Sequence, residues 1–264
     1  MLHPPLPSPP PLLRLRPPTC RLLSSIAVSR SPPPPATPVD LSQPLDLSPK
    51  TLALYRARLA AHVASTPCPS WRYRGPENTT WRHASVCIPL VSVPTPSILL
   101  TVRSAALRRH AGQVSLPGGS QDPSDLTLVD AALRETEEEV GIPRESVHVL
   151  GTFHPLPDRT QTILIHPVLC HVPSLRGLEE LRCAEEEVAE AFVVPLAHLL
   201  ADPDSEPEYL VRGGPRRVRN WTVEGHKVFG LTAWILEGLL TEVIAPAGVV
   251  GVDEWRAENK RSAP

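Results

Sequence analysis

The sequence is short of the features that announce most partners. Neither sign of charge dominates, since 26 basic and 28 acidic residues leave −2 at neutral pH; a global basic field for nucleic acid and an acidic solvating tail are both missing. No Cys-x-x-Cys pair occurs among Cys20, Cys68, Cys87, Cys170 and Cys183, and an odd, scattered set disfavours a disulfide framework or a zinc knuckle. A reducing compartment is the expectation. No run reaches the ~20 consecutive apolar residues of a membrane span, because Pro, Arg or Glu interrupts every apolar stretch. No apolar region with a small-residue cleavage site follows the first arginines, which disfavours a secretory signal. No internal repeat is visible. At 264 residues the chain has room for one large or two small domains, is expected to be soluble and not to engage a membrane, and must reveal its partner locally.

Proline is what the chain has in excess: 34 residues, 15 of them before residue 50. Runs such as Pro32-Pro33-Pro34-Pro35 cannot lie inside a helix or sheet, so residues 1 to 50 read as a disordered leader. Its Arg14, Arg16, Arg21 and Arg30 alternate with Leu, Ser and Ile, and no acid precedes Asp40. That is the composition of a mitochondrial transit segment; a Pro-rich extension with no address is the other reading. The alternative locations are the cytosol or the peroxisome, although the end, Arg261-Ser262-Ala263-Pro264, is not the Ser-Lys-Leu signal. A single domain is expected over 51–250, with 251–264 as a short tail.

Within that domain a helix is predicted through Thr51 to Ala60, after Ser48-Pro49 as cap and first turn. Two β-rich runs, Ala84 to Val91 and Ser97 to Val102, flank a Pro-containing turn and read as adjacent strands. Val129, Leu133, Thr136 and Val140 recur at helical spacing. Thr162 to Val172 resembles a strand interrupted at Pro167, and Val188 to Val194 another ending at Pro195. Asp202 to Pro215 is a loop by composition. Leu231, Ile235 and Leu239 stripe a last helix that should end near Pro246 to Gly248.

The informative segment is Arg134-Glu135-Thr136-Glu137-Glu138-Glu139-Val140-Gly141-Ile142. On a helix Glu135, Glu138 and Glu139 fall within about 60° of one direction, roughly 130° from the apolar stripe. The helix can bury one side and present three carboxylates on another. A solvated face would pair each Glu with a base four residues on, gaining ~0.2–0.5 kcal/mol per pair, but no base follows before Arg144. Such crowding is tolerable around a hard cation such as Mg²⁺. A merely acidic exposed face is the competing reading. Arg134 could orient one carboxylate by charge-assisted hydrogen bonds. Upstream, Leu116-Pro117-Gly118-Gly119 lets the backbone approach a metal or phosphate, and a carbonyl there, at Gly118, could add an oxygen ligand.

Gly119, Arg134-Glu135, Glu138-Glu139 and Gly141-Ile142 together resemble the Nudix box, G-x5-E-x7-R-E-U-x-E-E-x-G-U. The first acidic position is best matched by Asp125, and eight residues rather than seven separate it from Arg134. Thr136 takes the aliphatic position. Upstream, Leu99-Leu100-Thr101-Val102-Arg103-Ser104 through Arg108 and Gly112 to Leu116-Pro117-Gly118-Gly119 resembles the pattern L-L-T-x-R-[SA]-x3-R-x3-G-x3-F-P-G-G of the coenzyme A diphosphatase branch, with Leu116 where the family has Phe. Residues near Glu187 to Leu196 and Phe229 to Ala233 also resemble that branch, so the likeness spans roughly 84 to 245. With the Arg-rich leader, the chain resembles the mitochondrial members of eukaryotes.

The resemblance implies an α/β Nudix fold, a mixed β-sheet sandwiched between helices (α/β/α). It implies Glu138 and Glu139 as metal ligands, Glu135 as a third ligand or the base that activates water, and Arg134 holding it. Mg²⁺ or Mn²⁺ is the implied cofactor. The small-molecule substrate would be coenzyme A or acyl-coenzyme A, cut to 3′,5′-ADP and 4′-phosphopantetheine. ADP-ribose, NADH or a capped RNA end is the rival substrate, nucleic acid being otherwise unexpected; a silent nucleotide-binding module is the rival of another class. Monomer and homodimer both remain open. Arg103 and Arg108, with His110 and Gln113, are candidates to hold phosphates, against a solvated basic hinge. Glu187 is preferred over Glu186 and Glu190 as an extra carboxylate from across the cleft, although each alone reads as a surface acid. His154, His166 and His171 lack ligand spacing and read as structural. Trp71, Tyr73 and Trp81, interleaved with Arg72, Arg74 and Arg82, read as surface packing before base stacking.

Overall fold

The structure is a computed structural model. It describes residues 45–66, 81–200, 204, 208–211 and 214–244, with the backbone alone at 208–211 and 214–216. The chain divides into two units, Met1–Pro35 and Ala36–Pro264, and every described residue belongs to the second. Helix α1 runs Pro49–Ser65, and the Ser48 side chain accepts from the Thr51 N–H while Pro49 opens the first turn, as the sequence predicts. Strands β1 (Arg82–Val91), β2 (Ser97–Arg103), β3 (Val114–Ser115) and β4 (Gly118–Ser120) precede α2 (Leu128–Val140). Then come β5 (His148–Thr152), β6 (Leu156–Pro157), β7 (Ile163–His171) and β8 (Val188–Pro195), followed by α3 (Leu196–Leu200). Hairpins β9 (Glu208–Val211) with β10 (Gly214–Arg217) and β11 (Trp221–Val223) with β12 (His226–Val228) lead to α4 (Gly230–Leu239) and a turn of π type, Leu240–Ile244.

The first eight strands form one mixed sheet, with β1 and β7 parallel and the other pairs antiparallel. Its central strands are nearly continuous apolar runs because both faces are covered. Ile88, Leu90, Ile98, Leu100 and Leu169 point into a core with Tyr55 and Leu59 of α1 and Leu236 and Leu239 of α4. Their alternates Cys87, Val91, Leu99, Val168 and Cys170 point the other way, onto Ala132 and Val140 of α2. The helices thus sandwich the sheet, as expected of an α/β/α fold. Arg58 adds a tie between the ends of the domain, donating to the Val243 and Ile244 carbonyls at 3.0 and 3.1 Å.

One topological detail makes the site. Strands β1 and β2 pair only beside their connecting turn, Leu90 with Ile98 and Val91 with Ser97. Beyond those rungs they part, and the chain from Val114 to Ser120 enters between them, β3 on β2 and β4 on β1. The bend of Pro117-Gly118-Gly119 is thereby set into the sheet directly beneath α2.

Two expectations and one competing reading need correction. Pro167 does not interrupt its strand: it lies inside β7, paired with Val86, and its carbonyl accepts from the Phe153 N–H at 2.9 Å. A strand residue points both backbone groups the same way, so the donor that Pro167 lacks also faces Phe153, just past the end of β5, and a single rung is lost. The stretch Asp202 to Pro215 is not all loop, since it contains β9 and the start of β10. The carboxylate face of α2 is not simply turned to solvent, because Glu139 is buried. The expected helix end near Pro246 lies outside the described residues.

Candidate active site

Helix α2 is fixed at both ends before any chemistry is added. The Thr127 hydroxyl accepts from the Asp130 N–H at 3.1 Å, and the Asp130 carboxylate accepts from the Thr127 N–H at 2.8 Å, a reciprocal cap on two orphan donors. At the other end Gly141 adopts φ 73° and closes the last turn onto the Glu137 carbonyl, a left-handed stop that suits glycine. A side chain there would also meet the Arg182 Cβ, 2.8 Å from the position of an added Cβ. Past the helix the chain returns over that end: the Arg182 N–H donates to the Val140 carbonyl and the Ala184 N–H to that of Glu139, both at 3.0 Å. It then turns tightly, Glu187 N–H to Ala184 carbonyl at 2.8 Å, and delivers Glu187 beside α2.

Glu139 sits deepest, its side chain 3% exposed. Its Oε2 accepts from the Gly118 N–H at 3.1 Å, and its Oε1 lies 3.8 Å from Arg103 Nη1. The Glu135 carboxylate occupies the space that a side chain at position 119 would fill, so Gly119 is needed for its absence of a Cβ. Carboxylate oxygens of Glu135, Glu139 and Glu187 lie within 4.8 Å of one another. Burial pushes Glu139 up to about 7; the neighbouring charges of Glu135 and Glu187 add to this, against Gly118 and Arg103. Glu135 is also raised, by burial first and then by Glu138 and Glu187, while Arg134 opposes. Crowded oxygens that resist ionisation lack a full counter-charge even with Arg103 and Arg134 beside them, and an all-oxygen donor set fits a hard divalent cation rather than a thiophilic one.

Arg134 organises the outer side. Asp125 grips it twice, Nε to Oδ1 and Nη2 to Oδ2 at 3.0 Å each, and Nη2 also donates to the Ser120 carbonyl at 3.1 Å. That leaves Nη1 aimed at Glu135 Oε1, 3.0 Å, and Glu138 Oε2, 2.8 Å. The two hydrogen bonds from Arg134 hold Asp125 below the usual carboxylate range despite its burial.

The expected residues are therefore distributed unevenly. Glu135, Glu139 and Glu187 come together; Glu138, its side chain 56% exposed, stands outside that trio on Arg134. Gly118 engages Glu139 through its N–H, where the sequence suggested its carbonyl as a ligand. Arg103 reaches the cluster. Arg108 is exposed on the connection between β2 and β3, and His110 Nδ1 and Gln113 Oε1, 2.8 Å apart, pair with each other. Glu186 is exposed, and Glu190 pairs with His226 at 3.1 Å. His166 faces His83, Nε2 to Nδ1 3.0 Å, and burial depresses it to about 4. Trp81 is half-buried; Trp71, Arg72, Tyr73 and Arg74 lie outside the described residues. What sequence reasoning missed is the double grip of Asp125 and the backbone strap at 182–184. The first carries a signal, an acid at the box position; the second is made by backbone groups that any sequence has.

Comparison with known proteins bears on this geometry. The model of the NUDIX domain matches residues 81–211. The chain is 43% identical over 165 residues to the uncharacterized Nudix hydrolase NudL of Photorhabdus laumondii, covering 61% of this chain and 85% of that protein. It is 43% identical over 162 residues to NudL of Yersinia enterocolitica, covering 61% and 81%. Among solved structures, the Nudix hydrolase RenU of M. smegmatis aligns at a TM-score of 0.35 and 24% identity, over 43% of this chain and 70% of that one. These NudL relatives are bacterial, and bacteria have no mitochondria; the mitochondrial destination expected from the Arg-rich leader is overturned on that finding.

Proposed function

We propose, from the fact that this chain belongs to the Nudix family of hydrolases, that its substrates are coenzyme A and the thioesters of coenzyme A. The protein is a hydrolase of diphosphate bonds acting on a small molecule; the proposal concerns which one. What carries it is the run from Leu99 to Gly119, whose Thr101, Arg103, Arg108 and Gly112 match the coenzyme A branch position by position. Arg103, within that run, lies 3.8 Å from the most buried carboxylate of the cluster, where a diphosphate held beside the cluster would meet its guanidinium. The products would be 3′,5′-ADP and 4′-phosphopantetheine or its acyl form.

In this reading Glu135, Glu139 and Glu187 would hold Mg²⁺ or Mn²⁺, and Glu138, now on Arg134, would add a ligand from the exposed side. When bound, the cation supplies neutralising charge at the diphosphate and a more acidic water. The chain's own part is positional. Arg134, locked by Asp125 and Ser120, opposes the upward shift that burial imposes on Glu135 and fixes one of its oxygens at 3.0 Å. The Gly118 N–H fixes one oxygen of Glu139 and leaves the other toward Arg103. The strap at 182–184 ties Glu187 to the same helix. Arg103 and Arg108, with His110 and Gln113 shaping the connection that carries them, bind phosphates.

The test is product identification from coenzyme A, acyl-coenzyme A, ADP-ribose, NADH and capped RNA, each with and without Mg²⁺. Metal-dependent release of 3′,5′-ADP with the highest kcat/KM on the coenzyme A compounds supports the reading. Preference for any of the other three substrates overturns it.

A further inference from the structure

We infer that Arg103 is an exchangeable counter-ion: its guanidinium holds the Glu139 carboxylate until a divalent cation takes that oxygen, and then passes to the substrate phosphate. The inference deepens the reading of Glu135, Glu139 and Glu187 as ligands and rests on it.

Glu139 has its two oxygens in different situations. Oε2 accepts from the Gly118 N–H at 3.1 Å, a backbone group of the sheet that cannot move away. Oε1 faces Arg103 Nη1 at 3.8 Å, which is an ion pair too long to be a hydrogen bond. The buried partner is the acid, 3% exposed, while the Arg103 side chain is 26% exposed. One end of the pair is fixed and the other can reach solvent.

The backbone of Arg103 is also fixed, so a change of partner must come from its side chain. Its N–H donates to the Gln113 carbonyl at 3.0 Å and its carbonyl accepts from the Gly112 N–H at 2.9 Å. The next residue, Ser104, donates to the Glu187 carbonyl at 2.8 Å. The strand register shifts between Val102 and Arg103 because the pairing skips Ala189 on β8, which sets Arg103 opposite Val188, next to Glu187. The Cα is thus pinned beside Glu187, and a long, flexible stem carries the charge.

A guanidinium and a dication cannot both sit on Oε1 without strong like-charge repulsion at low dielectric. With a cation held at Oε1 the Arg103 side chain would therefore leave it, and its planar fork finds better geometry on a phosphate than on this carboxylate. Without substrate, Arg103 competes with the metal; with substrate, it works on the metal's side.

The experiment is calorimetric titration of the full chain with Mn²⁺ alone, at pH 8, with no substrate present. Arg103→Gln is expected to bind Mn²⁺ about three- to fivefold more tightly than wild type, and Arg103→Lys, which keeps the charge, to stay near wild type. Equal or weaker Mn²⁺ affinity in Arg103→Gln overturns the exchange. A second measurement needs no neutralised variant: in ¹⁵N-arginine-labelled wild type, the Arg103 Nε–Hε signal, assigned by its loss in Arg103→Lys, should move when Mg²⁺ is added. A stationary signal overturns the exchange as well. Glu139→Gln separates the two layers, since wild-type Mn²⁺ affinity there overturns the ligand reading itself, whereas the Arg103 results bear on the exchange alone.

Discussion

The two faces of the sheet are built to different rules. Beneath α1 and α4 the sheet is covered by an aliphatic and aromatic core, with Leu236, Leu239, Leu100 and Ile88 completely buried, and the acid that α4 buries, Glu237, faces the buried Arg219 at 3.9 Å rather than a crowd of carboxylates. Beneath α2 the apolar contact is smaller, and one turn away the same helix buries Glu139 and half-buries Glu135. Burial stabilises on the first face, whereas on the second it costs, because a carboxylate leaves water without a full counter-charge. One face holds the fold and the other spends part of that stability to keep oxygens close together.

The sharpest break of this comparison exchanges a residue on each face. Glu139→Gln or Glu135→Gln should lower kcat at least about 10³-fold, roughly 4 kcal/mol at the barrier, while the melting temperature of the metal-free protein stays or rises. Thermal melts and steady-state rates on the same samples check this, and a variant that unfolds would reverse the assignment of roles. Leu236→Ala on the opposite face should do the converse, costing about 3 kcal/mol of stability in denaturant titrations with kcat per folded molecule nearly unchanged.

The pH dependence sharpens the same contrast. Glu139 is raised from an ordinary 4.5 to about 7 in the folded chain, so the folded state holds a proton that the unfolded state gives up. Its contribution is fully present below the unfolded value and lost as pH rises through 7, on the order of 3 kcal/mol. Because His166, depressed to about 4, titrates in the opposite sense, calorimetry in EDTA should compare wild type with Glu139→Gln: the wild-type melting temperature should fall relative to that of the variant between pH 5 and pH 8, and added Mg²⁺ should restore wild type at pH 8 more than at pH 5. A difference between the two that stays flat over this window would contradict the crowding of Glu135, Glu139 and Glu187. The smallest effect is expected from Asp125→Asn, which keeps the shape but weakens the charged grip on Arg134. About a tenfold fall in kcat with little change in KM would mark a positioning role.

Much of this was legible in the chain. The box spacing singled out Arg134, Glu135, Glu138 and Glu139, of which Glu135 and Glu139 come together with Glu187, and helical periodicity put the carboxylates on one side of α2. Local rules also gave α1 with its Ser48-Pro49 start and the run of β1 and β2. The misses have a common cause. That Glu139 is buried while its neighbour Glu138 is exposed depends on what packs over each, and the covering segments come from Gly118 and from residues 182–187, far along the sequence. Pro167 fits a strand only because β5 ends at Thr152. The β11–β12 hairpin did leave a local sign, Glu224-Gly225 between two alternating triplets, both with positive φ, as a tight two-residue turn requires.

The backbone strap over the end of α2 also sets where the chain tolerates changes of length. Ahead of the helix, the loop from Gly119 to Arg134 carries an extra residue relative to the box, and the Asp125 clamp at the turn absorbs it before the helix begins. Behind the helix there is no such slack, because Arg182 and Ala184 are registered to Val140 and Glu139, and Glu187 follows three residues on. A one-residue insertion at 185 would break the turn by which the Glu187 and Val188 N–H groups reach the Ala184 carbonyl and leave Glu187 held only from the β8 side, so changes of length should be tolerated before α2 and not between Arg182 and Glu187.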